Sequence, residues 1–177
     1  AVTRDLRTSG GEAQAEFAAP ETIRALGDAV SAAGHEAVPI EVTRPLAEWL
    51  PAMIAGRPDL ILNTAEGERG VARAALFPAI FAALGLRFTG SDARVQVLTQ
   101  DKYLTRLCVA QAGIRVARGI LVRSMDELRD DATGLVIVKP NFEGSSKGIT
   151  EASVVEDEAK LAGAVRRGLE AFPEGLM

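Results

Sequence analysis

Along this chain short apolar runs alternate with stretches of helical periodicity, and the alternation changes character near Gly90. Ala1–Asp5 reads as a first strand, followed by a polar loop rich in Ser, Gly and Glu (Thr8–Glu16). Pro20–Ala33 carries Ile23, Leu26, Ala29 and Val30 at helical spacing. With Pro20 and Glu21 in the first turn and Gly34 past the end, it predicts a helix. Ala37–Val42 predicts a strand and Pro45–Ala55 an amphipathic helix carrying Trp49. The run Asp59-Leu60-Ile61-Leu62-Asn63 has the profile of a buried parallel strand ending in polar residues. Val71–Leu84 predicts an apolar helix that Pro78 should kink or break early. Leu86–Thr89 adds another brief strand. Such strand–helix alternation predicts a small doubly wound α/β domain over residues 1–90.

Gly90-Ser91-Asp92 marks the expected boundary, with Ser91 or Asp92 capping the next helix. Ala93–Ala112 reads as a helix interrupted near Thr99–Asp101, since both are natural cap residues, and Gly113 ends it. Val116–Val122 and Leu135–Lys139 predict strands around a small helix, Ser124–Asp130. Ile149–Ser153 predicts a return strand, and Asp157–Ala171 an amphipathic helix with Leu161, Val165 and Leu169 at four-residue steps. Residues 91–177 are therefore expected to form an α+β module with a mainly antiparallel sheet. Both ends read as cuts. The chain begins without Met, and Glu174-Gly175-Leu176-Met177 looks like a turn launching an apolar strand.

Composition narrows the partners. A net charge of -4 argues against nucleic acid or an anionic membrane as the main partner, while leaving room for a local phosphate pocket. No apolar stretch approaches membrane-spanning length, and the first residues lack a signal-peptide core. The single cysteine, Cys108, cannot form an internal disulfide. It sits in an apolar helical run and is expected to be a small buried hydrophobe in a reducing, cytoplasmic setting. His35, after Gly34, reads as a surface-turn residue.

The candidate chemistry lies in Val136–Ile149, V-I-V-K-P-N-F-E-G-S-S-K-G-I. A β-branched run delivers Lys139, Pro140 ends the pairing or confines it to an edge, and a donor-rich loop follows. Backbone amides, two hydroxyls and an ammonium can close over a polyphosphate. An ordinary exposed hairpin loop has the same composition. What shifts the balance is a second lysine in its own local context, Gln100-Asp101-Lys102-Tyr103-Leu104-Thr105.

Several segments, taken in order, resemble the D-alanine–D-alanine ligase branch of the ATP-grasp superfamily. They are Phe88-Thr89-Gly90-Ser91-Asp92, Asp101-Lys102 with Leu104-Thr105, Ala112-Gly113-Ile114, Ile137-Val138-Lys139-Pro140 and Glu143-Gly144-Ser145-Ser146-Lys147-Gly148. The likeness runs from about Asp59 to Met177 and, less specifically, through Pro20-Glu21-Thr22 and Gly34-His35-Glu36. It implies a Rossmann-like pre-ATP-grasp domain (1–90) followed by the first α+β subdomain of an ATP-grasp fold (91–177). It also implies ATP-dependent ligation of a carboxylate to an amine through an acyl phosphate, with amino-acid or peptide substrates, in a possible homodimer. Lys102 and Lys139 then match the lysines that reach the nucleotide phosphates. Glu143, Gly144, Ser145, Ser146 and Gly148 match the lid over the triphosphate, and Ser145 also the serine that orders the substrate. Lys147 stands where the family often has an apolar residue. Mg2+ ligands and the transition-state arginine are expected beyond Met177.

Asn63-Thr64-Ala65-Glu66-Gly67-Glu68-Arg69-Gly70 replaces the family's His-Gly and Gly-Glu-Asp-Gly runs, and Ala72, Ala74 and Ala75 stand where an acidic residue enters the next helix. Glu66 and Glu68, at the carboxyl end of a presumed strand, are candidate substrate contacts or solvated loop residues. Glu12, Glu16 and Glu21 are the candidates for holding a substrate ammonium. Two alternatives stay open: a ligase for a different amino-acid or peptide pair, and a non-catalytic nucleotide-binding module.

Overall fold

A computed structural model describes residues 1–4, 16–129 and 134–177, which gather into two compact units, 1–97 and 98–177. In the first, β1 (Val2–Arg4) lies between β2 (Pro39–Glu41) and β3 (Leu62–Asn63), all parallel. A bridge from Ile61 to Phe88 extends the sheet, with Ile61 N–H donating to Arg87 O at 2.8 Å and Thr89 N–H to Ile61 O at 2.9 Å. Helices α1 (Pro20–Ala32) and α2 (Leu46–Gly56) make the crossovers, and α3 (Leu76–Ala83) follows β3. The order β2-β1-β3 is that of an open parallel α/β sheet.

The core of this unit is aromatic. Met53, Ile61 and Phe81 are fully buried, and Trp49, Phe77, Phe81 and Phe88 form a chain of ring contacts 5.7–6.4 Å apart. The predicted helix 71–84 is shortened at its front. Residues 73–75 form a 3₁₀ turn and the α-helix begins at Leu76, which places Pro78 in the first turn where no amide partner is needed. The expected break is therefore a late start, and the helix carries no kink to explain.

The division between the units falls inside α4 (Ala93–Gln100), past the Gly90 boundary read from the sequence. In the second unit, α4 stops at Asp101, whose carboxylate accepts from the amide of Leu104 and caps α5 (Lys102–Gln111). Antiparallel β4 (Val136–Ile137) and β5 (Val154–Val155) pair, and α6 (Glu158–Ala171) packs on them through Leu161, Ala164 and Val165. The segment 116–122 is not a strand; only Val122 pairs, with Leu176. The return strand comes at 154–155, because residues 151–153 form a 3₁₀ turn capped reciprocally by Thr150 and Ser153. Leu176 bridges both Val122 and Pro140, so the apolar end of the chain lies between two segments of this unit. Cys108, expected to be buried, is exposed on α5: the apolar run around it belongs to a helix with no buried residue.

Candidate functional site

In the second unit, Asn141 organises the motif residues. Pairing does not end at Pro140: Lys139 exchanges two hydrogen bonds with Met177, at 2.9 and 2.8 Å, and Pro140 itself bridges to Leu176, a position that asks no amide of it. Asn141 N–H then donates to Gly175 O at 3.0 Å. The Asn141 side chain is fully buried. Its Nδ2 donates to Asp101 Oδ1 at 2.8 Å, and its Oδ1 accepts from Tyr103 N–H at 2.9 Å. Its main-chain carbonyl accepts from Lys102 twice, from the amide at 3.2 Å and from Nζ at 3.3 Å. Lys102 Nζ also donates to the carbonyl of Glu143, and Gln100 Nε2 donates to that of Phe142 at 3.2 Å. The start of α5 and the start of the glycine–serine loop are thus joined by one buried amide. Sequence reading passed over Asn141 and Gln100; a lone buried Asn after a proline has no periodic signature.

Beyond Glu143 the loop tightens. Lys147 N–H donates to Gly144 O at 2.9 Å and Ile149 N–H to Ser146 O at 3.0 Å. Ser145 and Ser146 both adopt left-handed backbone conformations, φ 48° and 58°, which for residues with a Cβ cost on the order of 1–3 kcal/mol each. Both are exposed, while Gly148, φ 73°, sits against Phe172 and Pro140, with no room for a Cβ. Lys147, the residue without an assigned role, pairs with Glu143 at 2.9 Å. This partly exposed pair is worth roughly 0.2–1 kcal/mol.

Lys139 is half-buried and lines a cavity of about 640 Å³. Ile120, Val138, Leu161 and Leu176 help form its apolar walls, and Arg106, Arg118 and Arg129 add cationic groups. Among the described lining residues there is no carboxylate. Arg106 reaches the carbonyls of Ala117 and Gly119 at 3.2 and 2.7 Å and lies 5.1 Å from the Tyr103 ring, while its buried Nε has no hydrogen-bond partner. Lys102 does not line this cavity. The two motif lysines therefore occupy neighbouring but different settings: Lys102 is held by loop carbonyls, and Lys139 faces the cationic hollow.

In the first unit, Glu16 meets Arg73, which sequence reading did not single out. Arg73 Nε and Nη2 donate to the Glu16 carboxylate at 3.2, 3.0 and 2.8 Å, and the two side chains are only 6% and 10% exposed. Glu66 is half-buried, Glu68 and Glu21 are exposed, and Glu12 lies outside the described residues. Thr64 Oγ1 donates to Thr3 O at 2.6 Å, fixing the exit of β3 against β1. No group of three or more His, Cys, Asp or Glu able to hold a metal occurs among the described residues, and no described helix is long and apolar enough to cross a membrane.

No family model matches the chain. It is similar to the D-alanine–D-alanine ligase of Gluconobacter oxydans (strain 621H), 32% identical over 153 residues that cover 85% of this chain and 50% of that one. To the ligase of the same name from Methylococcus capsulatus (strain Bath) it is 32% identical over 157 residues, 85% of this chain and 48% of that one. The chain spans about half the length of the curated relatives it matches. Among solved structures it is similar to the D-alanine–D-alanine ligase of Bacillus anthracis complexed with ATP. There the TM-score is 0.65 at 19% identity, covering 97% of this chain and 55% of that chain. A D-Ala:D-Ser ligase, VanG of Enterococcus faecalis, matches with a TM-score of 0.65 at 18% identity, covering 96% and 58%. At such identities the structural likeness establishes a shared α/β fold alone.

Proposed function

We propose that this chain, which belongs to the D-alanine–D-alanine ligase-like family, supplies the nucleotide-gripping and acid-substrate portion of an ATP-dependent carboxylate–amine ligase. In this reading residues 1–97 are the Rossmann-like pre-ATP-grasp domain and residues 98–177 the first subdomain of the ATP-grasp fold. The observation that carries it is the cavity beside Lys139, apolar-walled and edged by Arg106, Arg118 and Arg129. Those groups suit a ligand with a flat apolar part and several negative charges. The orphaned Arg106 Nε is a donor awaiting such an anion.

Each motif residue then has a role. Lys139 neutralises phosphate charge from a fixed strand position. Lys102 exchanges its loop carbonyls for phosphate oxygens, a charge-assisted bond stronger than the one it gives up. Glu143, Gly144, Ser145, Ser146 and Gly148 form the covering loop, with exposed hydroxyls and amides as donors, and Ser145 also orders the carboxylate substrate. The γ-phosphoryl group passes to a carboxylate oxygen as ADP leaves; an amine then attacks the acyl carbon and phosphate departs. Positioning and charge neutralisation supply most of such catalysis. Mg2+, when bound, would neutralise phosphate charge; no group of three or more His, Cys, Asp or Glu that could hold it occurs among the described residues. Glu66 and Glu68 are further substrate contacts in this reading, the setting is cytoplasmic, and the assembly is a homodimer.

The test is ADP release by the full-length protein with ATP and a panel of D- and L-amino acids. The expected result is amino-acid-dependent ADP formation, with ATP affinity lowered about tenfold or more in Lys139→Ala and Lys102→Ala, as expected for loss of a charged hydrogen bond. No amino-acid-dependent turnover under any pairing would defeat the proposal.

A further inference from the structure

Two ammonium groups converge on one residue of the glycine–serine loop. Glu143 holds Lys102 Nζ through its main-chain carbonyl, and Lys147 Nζ through its carboxylate at 2.9 Å. Lys102 reaches it from the start of α5, whereas Lys147 reaches it from within the loop, four residues further on. Lys102 has a role among the motif residues, and Lys147 has none.

Between the two paired side chains lies a tight turn. Lys147 N–H donates to Gly144 O at 2.9 Å across Ser145 and Ser146, both left-handed at φ 48° and 58°, as in a type I′ turn. The ends of the loop are fixed elsewhere, by the Asn141 side chain at its start and by Gly148 beneath Phe172 and Pro140 at its close. A partly exposed ion pair shifts an equilibrium by about fivefold at most. That is no more than a single left-handed serine takes away. The pair therefore does not hold the turn in place. The anchored turn instead sets the Lys147 ammonium on the residue that already holds Lys102.

An ammonium held this weakly is easily transferred. A charge-assisted hydrogen bond to a phosphate oxygen is worth roughly 10–150-fold, against about fivefold or less for the pair it replaces. Lys139 lines the apolar-walled cavity that suits the flat part of a nucleotide, and neither Lys102 nor Lys147 does. Of the three lysines, these two therefore serve the end of the phosphate chain farther from that part. We propose that Lys147 is a specificity-determining residue for the nucleotide. It exchanges the Glu143 carboxylate for an oxygen of the terminal phosphate, and so favours a nucleoside triphosphate over the diphosphate. This rests on the ligase reading and deepens it: the loop carries its own cation, which grips the substrate nucleotide and loses its partner when the terminal phosphoryl group has left.

The experiment titrates the full-length protein calorimetrically with ATP and, separately, with ADP. In Lys147→Met the ATP affinity is expected to fall on the order of tenfold while the ADP affinity stays within about twofold, and Lys147→Arg is expected to restore the preference. Because the pair is weak, Lys147→Met should melt within about 8 °C of the parent. Glu143→Gln separates transfer from a purely structural role: it breaks the pair but keeps the ammonium, so the preference for ATP over ADP is expected to persist. Loss of that preference in Glu143→Gln as well as in Lys147→Met would overturn the proposal, since the pair itself would then matter. A folded Lys147→Met variant with the parent's ratio of ATP to ADP affinity would overturn it too, and would leave the ligase reading standing on its amino-acid-dependent ADP release. If that release is absent, the ligase reading falls by itself, and the two titrations still decide the role of Lys147. A parent that binds neither nucleotide overturns both.

Discussion

Removing the Asn141 side chain tests whether one amide holds the second unit's motif together. Asn141→Ala deletes two buried hydrogen bonds, to Asp101 Oδ1 at 2.8 Å and from Tyr103 N–H at 2.9 Å. Asp101 keeps its cap on Leu104 N–H, so the main loss is the stranded Tyr103 amide. An unsatisfied buried donor costs about 1–3 kcal/mol, and the lost net hydrogen bond adds roughly 1 kcal/mol. The total, about 2–4 kcal/mol, lowers the melting temperature of a unit this size on the order of 10–20 °C. The chain supplies its own probe, because its single tyrosine, Tyr103, lies in this unit and its single tryptophan, Trp49, in the other. Near-UV circular dichroism of Tyr103 should show the shift. Asn141→Asp sharpens the test by setting a carboxylate against Asp101. One of the two carboxyls then has a raised folded pKa, so the variant's stability is intact below about pH 4 and is lost as the pH rises through that folded value. An Asn141→Ala variant that melts with the parent, or an Asn141→Asp variant indifferent to pH, would refute this account of the hub.

Gly148→Ala combines a left-handed backbone with a Cβ 2.4 Å from Phe172 and 2.8 Å from Pro140; a loss of about 2–4 kcal/mol is expected by urea unfolding, with partial rescue by Phe172→Leu. Exposed Cys108 should react with a thiol reagent in the folded protein at a rate close to that of the unfolded chain, measured by absorbance. The amide of Val95 and then Arg94 hold the Asp92 carboxyl below its ordinary 3.8, so an NMR titration should place its midpoint lower. Its contribution to stability is then present above pH 3.8 and lost as the pH falls through the lower folded value.

Features fixed by neighbours in sequence were legible. Helix α1 starts at Pro20 and ends before Gly34, Asp101 interrupts the long helix as its side chain predicts, and α6 buries Leu161 and Val165 at the expected spacing. Strand extent was less so: 116–122 has the composition of a strand, but only Val122 finds a partner, because pairing depends on what lies alongside. Cys108 failed for a related reason, since helical periodicity says that a face is apolar and not whether anything covers it.

The groups that fix the site's geometry were the least visible. Glu16 and Arg73 are 57 residues apart, and Asn141 and Asp101 are 40 apart; no local pattern announces either meeting. Yet each long-range pair sits directly beside a residue that the motifs did mark. Asn141 follows Lys139-Pro140 and fixes Lys102; Arg73 follows the Glu66–Gly70 loop and fixes Glu16. Residues whose type is set by a ligand can be read from composition and order, because the ligand's chemistry restricts them. Residues whose type is set by another side chain become legible only with both partners in view. Among the departures from the ligase pattern, Arg73 therefore carries the most weight: it stands among the alanines that replace an acidic residue, and its charge is spent on Glu16.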